Sequence, residues 1–213
     1  MPTRRRPATT ILLVRHGRTP TTGVRLPGRA RGLHLDEAGQ AEAARTAERI
    51  AAAVHVEAVY TSPLERARET ARPIAVRQGL TPRVHRGLLE CDYGDWTGAE
   101  LAELRRLPAW RALQRNPSGF RFPNGESLVG MQARVVDALR GIAAAHPGGT
   151  VVAVSHADPI RAAVADAVGT HLDMFHRIVV GTASVTAVAY GTDGPLVLTL
   201  NAYGDLPQLG GRR

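Results

Sequence analysis

Three observations on this chain of 213 residues predict an α/β fold in which a parallel sheet is flanked by helices. From Thr10 onward, short apolar runs bounded by turn residues alternate with segments of helical periodicity, the pattern of strands joined by crossover helices. Two of the runs, 11–14 (ILLV) and 151–154 (VVAV), are apolar at every position, as strands buried on both faces are. An apolar content of 44% suffices to bury one large core.

Residues 1–9, with Arg4, Arg5 and Arg6, read as a basic flexible tail. The first strand is TILLVR at 10–15, followed by an Ala-rich helix at 36–53 and a second strand, VEAVYT, at 56–61. A helix over 63–78 leads to a short strand, VHR, at 84–86. The clearest helix is 125–145: Leu128, Met131, Val135, Leu139 and Ile142 recur at steps of three and four, and Pro147-Gly148-Gly149 ends it. The strand TVVAVS at 150–155, a helix over 159–168 and two strands, 184–190 and 196–200, complete the pattern. With no linker or repeat between them, 10–205 form a single domain and 206–213 a C-terminal tail.

All 27 basic residues are arginine, so the net charge of +8 rests on groups that do not deprotonate and that draw in anions. Nucleic acid is not the expected partner, because the arginines are scattered and aromatic residues, at 4%, offer few stacking platforms. Cys91, the only cysteine, excludes an intramolecular disulfide, suits a reducing compartment and reads as a small buried residue. The apolar run Ile11 to Val14 is too short for a signal peptide, and no stretch is long enough to span a membrane, so the expected location is the cytoplasm.

Ligands of an open parallel sheet bind beyond the carboxyl ends of its strands. Three strands here end on chemistry-bearing residues: Arg15-His16-Gly17, Thr61-Ser62-Pro63 with Arg66 one turn later, and Ser155-His156-Ala157. Two arginines would match phosphate oxygens, a neutral imidazole would attack phosphorus, and a second imidazole with the backbone N–H groups of the following helix would donate to the transferring oxygens. The leaving alkoxide needs a proton, for which Glu90 is the candidate acid, with Asp92 and Asp95 as alternatives in the same loop.

The motifs LVRHGRT (13–19), SPLERARETA (62–71), E-x-x-Y-G-x-W-x-G (90–98) and SHADPIR (155–161) together resemble the histidine phosphatase superfamily, also called phosphoglycerate mutase-like. The resemblance runs from about Ile11 to Tyr190 and implies a three-layer α/β/α sandwich with a mostly parallel central sheet. It implies His16 as the phosphorylated nucleophile, Arg15, Arg66 and His156 as the rest of the phosphate pocket, and Glu90 as proton donor, with no metal or other cofactor. Ala157, Thr22 and Arg29 complete the expected substrate-binding set, Arg29 with Arg25 and Arg31 at the mouth of the site. Thr22 stands where many members carry asparagine, Pro27-Gly28 where many carry Gln-Gly, and SHAD replaces the commoner Ser-His-Gly-Gly.

Glu90 and His156 are only 66 residues apart, mostly one loop and one long helix in this reading. The resemblance implies a longer insertion at this point in the glycolytic mutases, so the compact form favours hydrolysis of a small phosphorylated metabolite over mutase transfer, which must exclude water from its intermediate. A catalytically idle phosphate-binding relative is the reading from another class. The resemblance also admits a homodimer. Ser155, His156 and Asp158 form a decoy triad, since neighbours along a strand face opposite ways. His34, His55, His85 and His146 read as surface residues, and Trp96 and Trp110 as core packing.

Overall fold

In the computed structural model, which describes residues 7–206, the central sheet has six strands in the order β3-β2-β4-β1-β5-β6. These are β1 (Thr9–Arg15), β2 (Ala58–Thr61), β3 (Arg83–Val84), β4 (Thr150–Ser155), β5 (Val185–Gly191) and β6 (Gly194–Ala202). β3, β2, β4 and β1 pair in parallel, while β5 and β6 form an antiparallel hairpin against β1. The mostly parallel α/β sandwich read from the sequence is therefore the observed architecture.

The side-chain period of two divides each apolar strand between two cores. Ile11 and Leu13 of β1, with Val151 and Ala153 of β4, face α5 (Leu128–Ala145) and α6 (Ala157–Ala167). Leu12, Val14, Val152 and Val154 face the other way, against α1 (Glu37–Ala53) and α2 (Glu65–Arg77). The caps are local: Asp36 accepts from the Gly39 N–H at 2.7 Å to start α1, and Ser127 accepts from the Gly130 N–H at 3.1 Å to start α5.

Several boundaries differ from the sequence reading. Thr9 belongs to β1 rather than to a tail: it is buried, and its hydroxyl donates to the carbonyls of Ala143 (2.9 Å) and His146 (2.7 Å). Of the rest of the expected N-terminal tail, Pro7 and Ala8 are exposed and 1–6 lie outside the described residues, as do 207–213 of the C-terminal one, whereas Leu206 packs into the core on the α1 and α2 side. The VHR strand is cut to Arg83–Val84 because His85 caps a 3-10 turn at Arg86–Leu88. Helix α6 starts at Ala157, two residues early, since proline is tolerated in a first turn whose N–H groups lack intrahelical partners.

The stretch between Glu90 and His156 is also more structured than one loop and one helix. It contains two short helices, α3 (Leu101–Leu104) and α4 (Pro108–Arg115), the latter opened by a proline at its first position. His146 is only 13% exposed in its side chain and bonds the Tyr60 hydroxyl at 3.0 Å, so it is not a surface residue. Among the described residues no helix is long and apolar enough to cross a membrane.

The loop after β1 lies directly on the first turn of α1. A Cβ on Gly17 would stand 2.5 Å from the Gly39 carbonyl oxygen, and one on Gly39 would stand 2.0 Å from that of Arg18. Both contacts are backbone to backbone, so no side chain can rotate away. Gly39→Ala is expected to lower unfolding stability by about 1–3 kcal/mol through overpacking. Gly141→Ala, at an exposed interior position of α5 with nothing near its Cβ, is expected to raise it by about 0.5–1 kcal/mol. Urea denaturation of the two variants beside the parent checks both signs.

Candidate active site

Adjacent parallel strands with matched register bring the three motif ends together. Arg15 pairs with Ser155 across β1 and β4, and Thr61 with Val154 across β2 and β4, so the chains leave the sheet side by side. His16 follows β1, Ser62 follows β2, and His156 follows β4 as the N-cap of α6. The His16 and His156 rings lie 5.1 Å apart between centroids.

His16 is buried, and its hydrogen bonds define its tautomer. Nδ1 lies 2.8 Å from the Gly17 carbonyl, which can only accept, so the proton sits on Nδ1. Nε2 then carries a lone pair and accepts from Arg66 Nε at 3.3 Å. Burial, followed by the Arg66 and Arg15 charges, holds His16 well below the ordinary imidazole range, and the neutral form follows. His156 is depressed in the same way, by burial first and then by Arg66. Its Nε2 lies 2.8 Å from the Ser62 hydroxyl.

Arg66 is fully buried on α2 and donates through Nη2 to the Gly28 carbonyl at 2.7 Å. Arg15 donates through Nη1 to the Val180 carbonyl at 2.8 Å. Among the described residues, four buried side-chain nitrogen or oxygen atoms have no hydrogen-bond partner, and three of them are Arg15 Nε, Arg66 Nη1 and His156 Nδ1. An unmatched buried donor costs about 1–3 kcal/mol. Two unmatched guanidinium N–H groups and an unmatched imidazole nitrogen in the surroundings of neutral His16 suit an anion with several acceptor oxygens.

A cleft of about 320 Å³ opens over this floor. Arg15, His16, Glu90, Ala157, Asp158 and Arg161 line its polar end. Glu90 is 6% exposed, and its Oε1 accepts from the Cys91 N–H at 2.9 Å. Burial, and then the neighbouring Asp158 charge, push its carboxyl up to about 7 despite opposing pulls from the Cys91 N–H, Arg66 and Arg15. The alternative acids are occupied elsewhere: Asp92 faces Arg29 and the Gly94 N–H, and Asp95 accepts from Asn124.

The remaining expectations divide. Thr22 lines the cleft, but its hydroxyl oxygen accepts from the Thr19 N–H at 2.9 Å. Ala157 lines it at the start of α6, and Arg25 lines it while paired with Glu100. Arg29 does not line it; its guanidinium is drawn under the Glu90 loop by Asp92 and Glu126, which corrects its expected place at the mouth. No triad forms from Ser155, His156 and Asp158, because Ser155 donates to the Leu88 carbonyl and Asp158 accepts from Tyr93 and Arg161.

Sequence reasoning missed Ser62 as the partner of His156, and Tyr93, Asp158 and Arg161 as one network; all four were visible inside the motifs. It preferred core packing over substrate contact for Trp110 and missed Leu113, Phe122 and Phe175, which with Trp110 form an apolar wall of the cleft. Trp110 is stacked on Trp96 at 6.2 Å yet reaches the cleft, so only Trp96 is purely core. The proline that opens α4 was the available signal for that wall.

The chain is similar to a Hydrogenobacter thermophilus protein named phosphoserine phosphatase 1, with 31% identity over 196 residues covering 90% of this chain and 91% of that one. It is 35% identical over 155 residues to phosphoglycerate mutase-like protein 4 of Arabidopsis thaliana, covering 71% and 67%. Among solved structures, a mycobacterial glucosyl-3-phosphoglycerate phosphatase superposes with a TM-score of 0.82 at 26% identity, covering 94% of this chain and 100% of that one. The sequence pattern described as the histidine phosphatase superfamily, branch 1, matches residues 11–203, and the chain belongs to that superfamily.

Proposed function

We propose that this protein is a phosphomonoesterase that hydrolyses a small phosphorylated metabolite through a phosphohistidine on His16. The observation that carries the reading is the neutral His16 imidazole with its Nε2 lone pair beside unmatched buried nitrogens of Arg15, Arg66 and His156. The family and the phosphatase names of its relatives support a small-molecule phosphatase. Structures of the mycobacterial relative are described as complexes with VO3 and with inorganic phosphate, which supports a phosphate-like anion as the ligand class. The absence of a membrane-crossing helix among the described residues is compatible with a cytoplasmic enzyme.

In this mechanism the Nε2 lone pair attacks phosphorus as the ester P–O bond breaks, and Glu90 gives its proton to the departing alkoxide. Arg15, Arg66 and His156 stabilise the charge on the equatorial oxygens, with the Ala157 N–H as a further donor. Water then attacks phosphorus, the Glu90 carboxylate takes its proton, the P–N bond breaks, and neutral His16 returns with inorganic phosphate released. Thr22 bounds the substrate side of the cleft. The apolar wall around Trp110 receives the body of the ester.

Phosphate release from a panel including phosphoserine, phosphoglycerates and sugar phosphates, with a metal chelator present, is the first test. Parent activity is expected to survive the chelator, and His16→Ala to lose it by about a thousandfold or more. An acid-labile, alkali-stable phosphoryl adduct should appear on the parent alone. An active His16→Ala variant would sink the assignment, and transfer to a second substrate hydroxyl in place of water would turn the reading to a mutase.

Because the acid must start protonated, kcat/KM is expected to fall as pH rises through about 7, the value to which burial raises Glu90. Glu90→Gln should remove that limb, leaving only the ionisation of the substrate. A limb that persists unchanged in the variant assigns it to another group.

The same raised carboxyl has a stability signature. The folded state holds the Glu90 proton more tightly than the unfolded chain does, so its contribution is complete below the ordinary carboxylate range and is lost as pH rises through about 7. At pH 8 to 9, Glu90→Gln is therefore expected to be more stable than the parent, on the order of 3 kcal/mol, with the difference shrinking towards pH 5. Thermal unfolding across that range reads it out.

A further inference from the structure

The segment that carries Glu90 belongs to neither a helix nor a strand, and its carbonyls are held by side chains. The Gly87 carbonyl accepts from Arg134 Nη1 at 2.9 Å, that of Leu88 from the Ser155 hydroxyl at 2.8 Å, and that of Leu89 from Arg134 Nη1 at 3.0 Å. The Glu90 carbonyl accepts from Arg29 Nε at 2.9 Å and from Arg134 Nη2 at 3.4 Å. None of these four carbonyls takes a backbone hydrogen bond among the described residues.

One carboxylate joins the two arginines. Glu126 accepts from Arg134 through both its oxygens, Oε1 from Nε and Oε2 from Nη2, each at 2.9 Å, and Oε2 also accepts from Arg29 Nη2 at 2.9 Å. Its backbone N–H donates to the Asp92 carbonyl at 2.9 Å, and its Oε2 accepts from the Asp92 N–H at 3.3 Å, tying down the chain two residues after Glu90. All three side chains are largely buried, at 18% exposure for Glu126, 22% for Arg134 and 30% for Arg29. Arg134 comes from α5, Arg29 from the loop after β1, and Glu126 from the turn before α5, so the clamp refers the Glu90 loop to separate parts of the fold.

We propose that Arg29, Arg134 and Glu126 are positioning residues for the proton donor, holding the Glu90 backbone so that its carboxyl meets the leaving oxygen of the ester. This rests on Glu90 being the acid. None of the three lines the cleft, so they act through Glu90 rather than on the substrate. A guanidinium is required at Arg134 because one planar fork spans three carbonyls and a carboxylate together, which a single ammonium does not do.

Leaving-group dependence separates positioning of the acid from general damage. An alkyl phosphate needs a proton on its departing oxygen, whereas a nitrophenyl phosphate leaves without one, and kcat/KM reports only steps up to phosphorylation of the enzyme. Glu90→Gln is expected to lose about a hundredfold or more on alkyl esters, with a far smaller loss on nitrophenyl phosphate. Arg134→Met and Arg29→Met should show the same selective pattern, at about ten- to a hundredfold on the alkyl ester, and Arg134→Lys should not restore it. Combined with Glu90→Gln, either arginine variant should add little further loss, because no acid remains to be placed. Parallel losses on both esters, an undiminished alkyl rate, or full additivity in the double variants would overturn the clamp. Arg29→Met, at the most exposed of the three positions, keeps the test available if an Arg134 variant does not fold. If Glu90→Gln itself shows no selectivity between esters, the acid assignment fails; selectivity there without it in the arginine variants fails the clamp alone.

Discussion

Burial of cationic donors around a neutral imidazole, with no carboxylate ion-paired to them among the described residues, is the constraint on which the site depends. Arg66 is fully buried, bonded to a carbonyl and to His16, and Arg15 is held by another carbonyl. A folded chain tolerates unmatched buried donors only where the surrounding structure over-determines them. Here the restraint comes from β1, β4 and β2, which lie side by side, and from α2 and α6, which begin just beyond them. Burial, and then the Arg66 and Arg15 charges, keep His16 unprotonated, so the proposed nucleophile and the anion site share the same buried, cationic surroundings.

The acid is held by different physics. Glu90 follows a 3-10 turn and precedes another, with no ladder of backbone hydrogen bonds to fix it. Arginine forks and one carboxylate replace the ladder, and burial together with Asp158 keeps the proton on the carboxyl to near neutrality. Asp158 is tied to Tyr93 and Arg161 at 2.7 and 3.0 Å, which places it in the site as a neighbour of the acid rather than as part of a nucleophilic triad. The proposed nucleophile and acid thus share one cleft with opposite proton preferences: burial and then cationic neighbours leave the His16 imidazole neutral, and burial with an anionic neighbour raises the Glu90 carboxyl to about 7.

In the proposed enzyme the body of the substrate meets the segment between Glu90 and His156. Helices α3 and α4 place Leu101, Trp110 and Leu113 along the cleft opposite the guanidinium groups. The proposed phosphate end is built on strand ends. The wall is built on short helices, whose replacement alters the cleft without disturbing the sheet.

The sequence by itself determined the layered α/β fold, because runs of four to seven apolar residues between helical segments leave few other ways to bury them. It also determined that His16, Arg66 and His156 would meet, since parallel strands direct their carboxyl ends to one edge. Boundaries were legible where capping is local, as at Asp36, and less so where a proline stands inside a first turn, as at Pro159. Only the tertiary structure decided that Arg29 braces the acid loop instead of lining the cleft, that Ser62 partners His156, and that Trp110 reaches the cleft while Trp96 does not. The physical reason is range. Strand periodicity and strand-end chemistry are written within a few neighbouring residues, whereas a guanidinium has donors enough for any carbonyl or carboxylate the fold brings near, and 61 residues separate Arg29 from the Glu90 it holds.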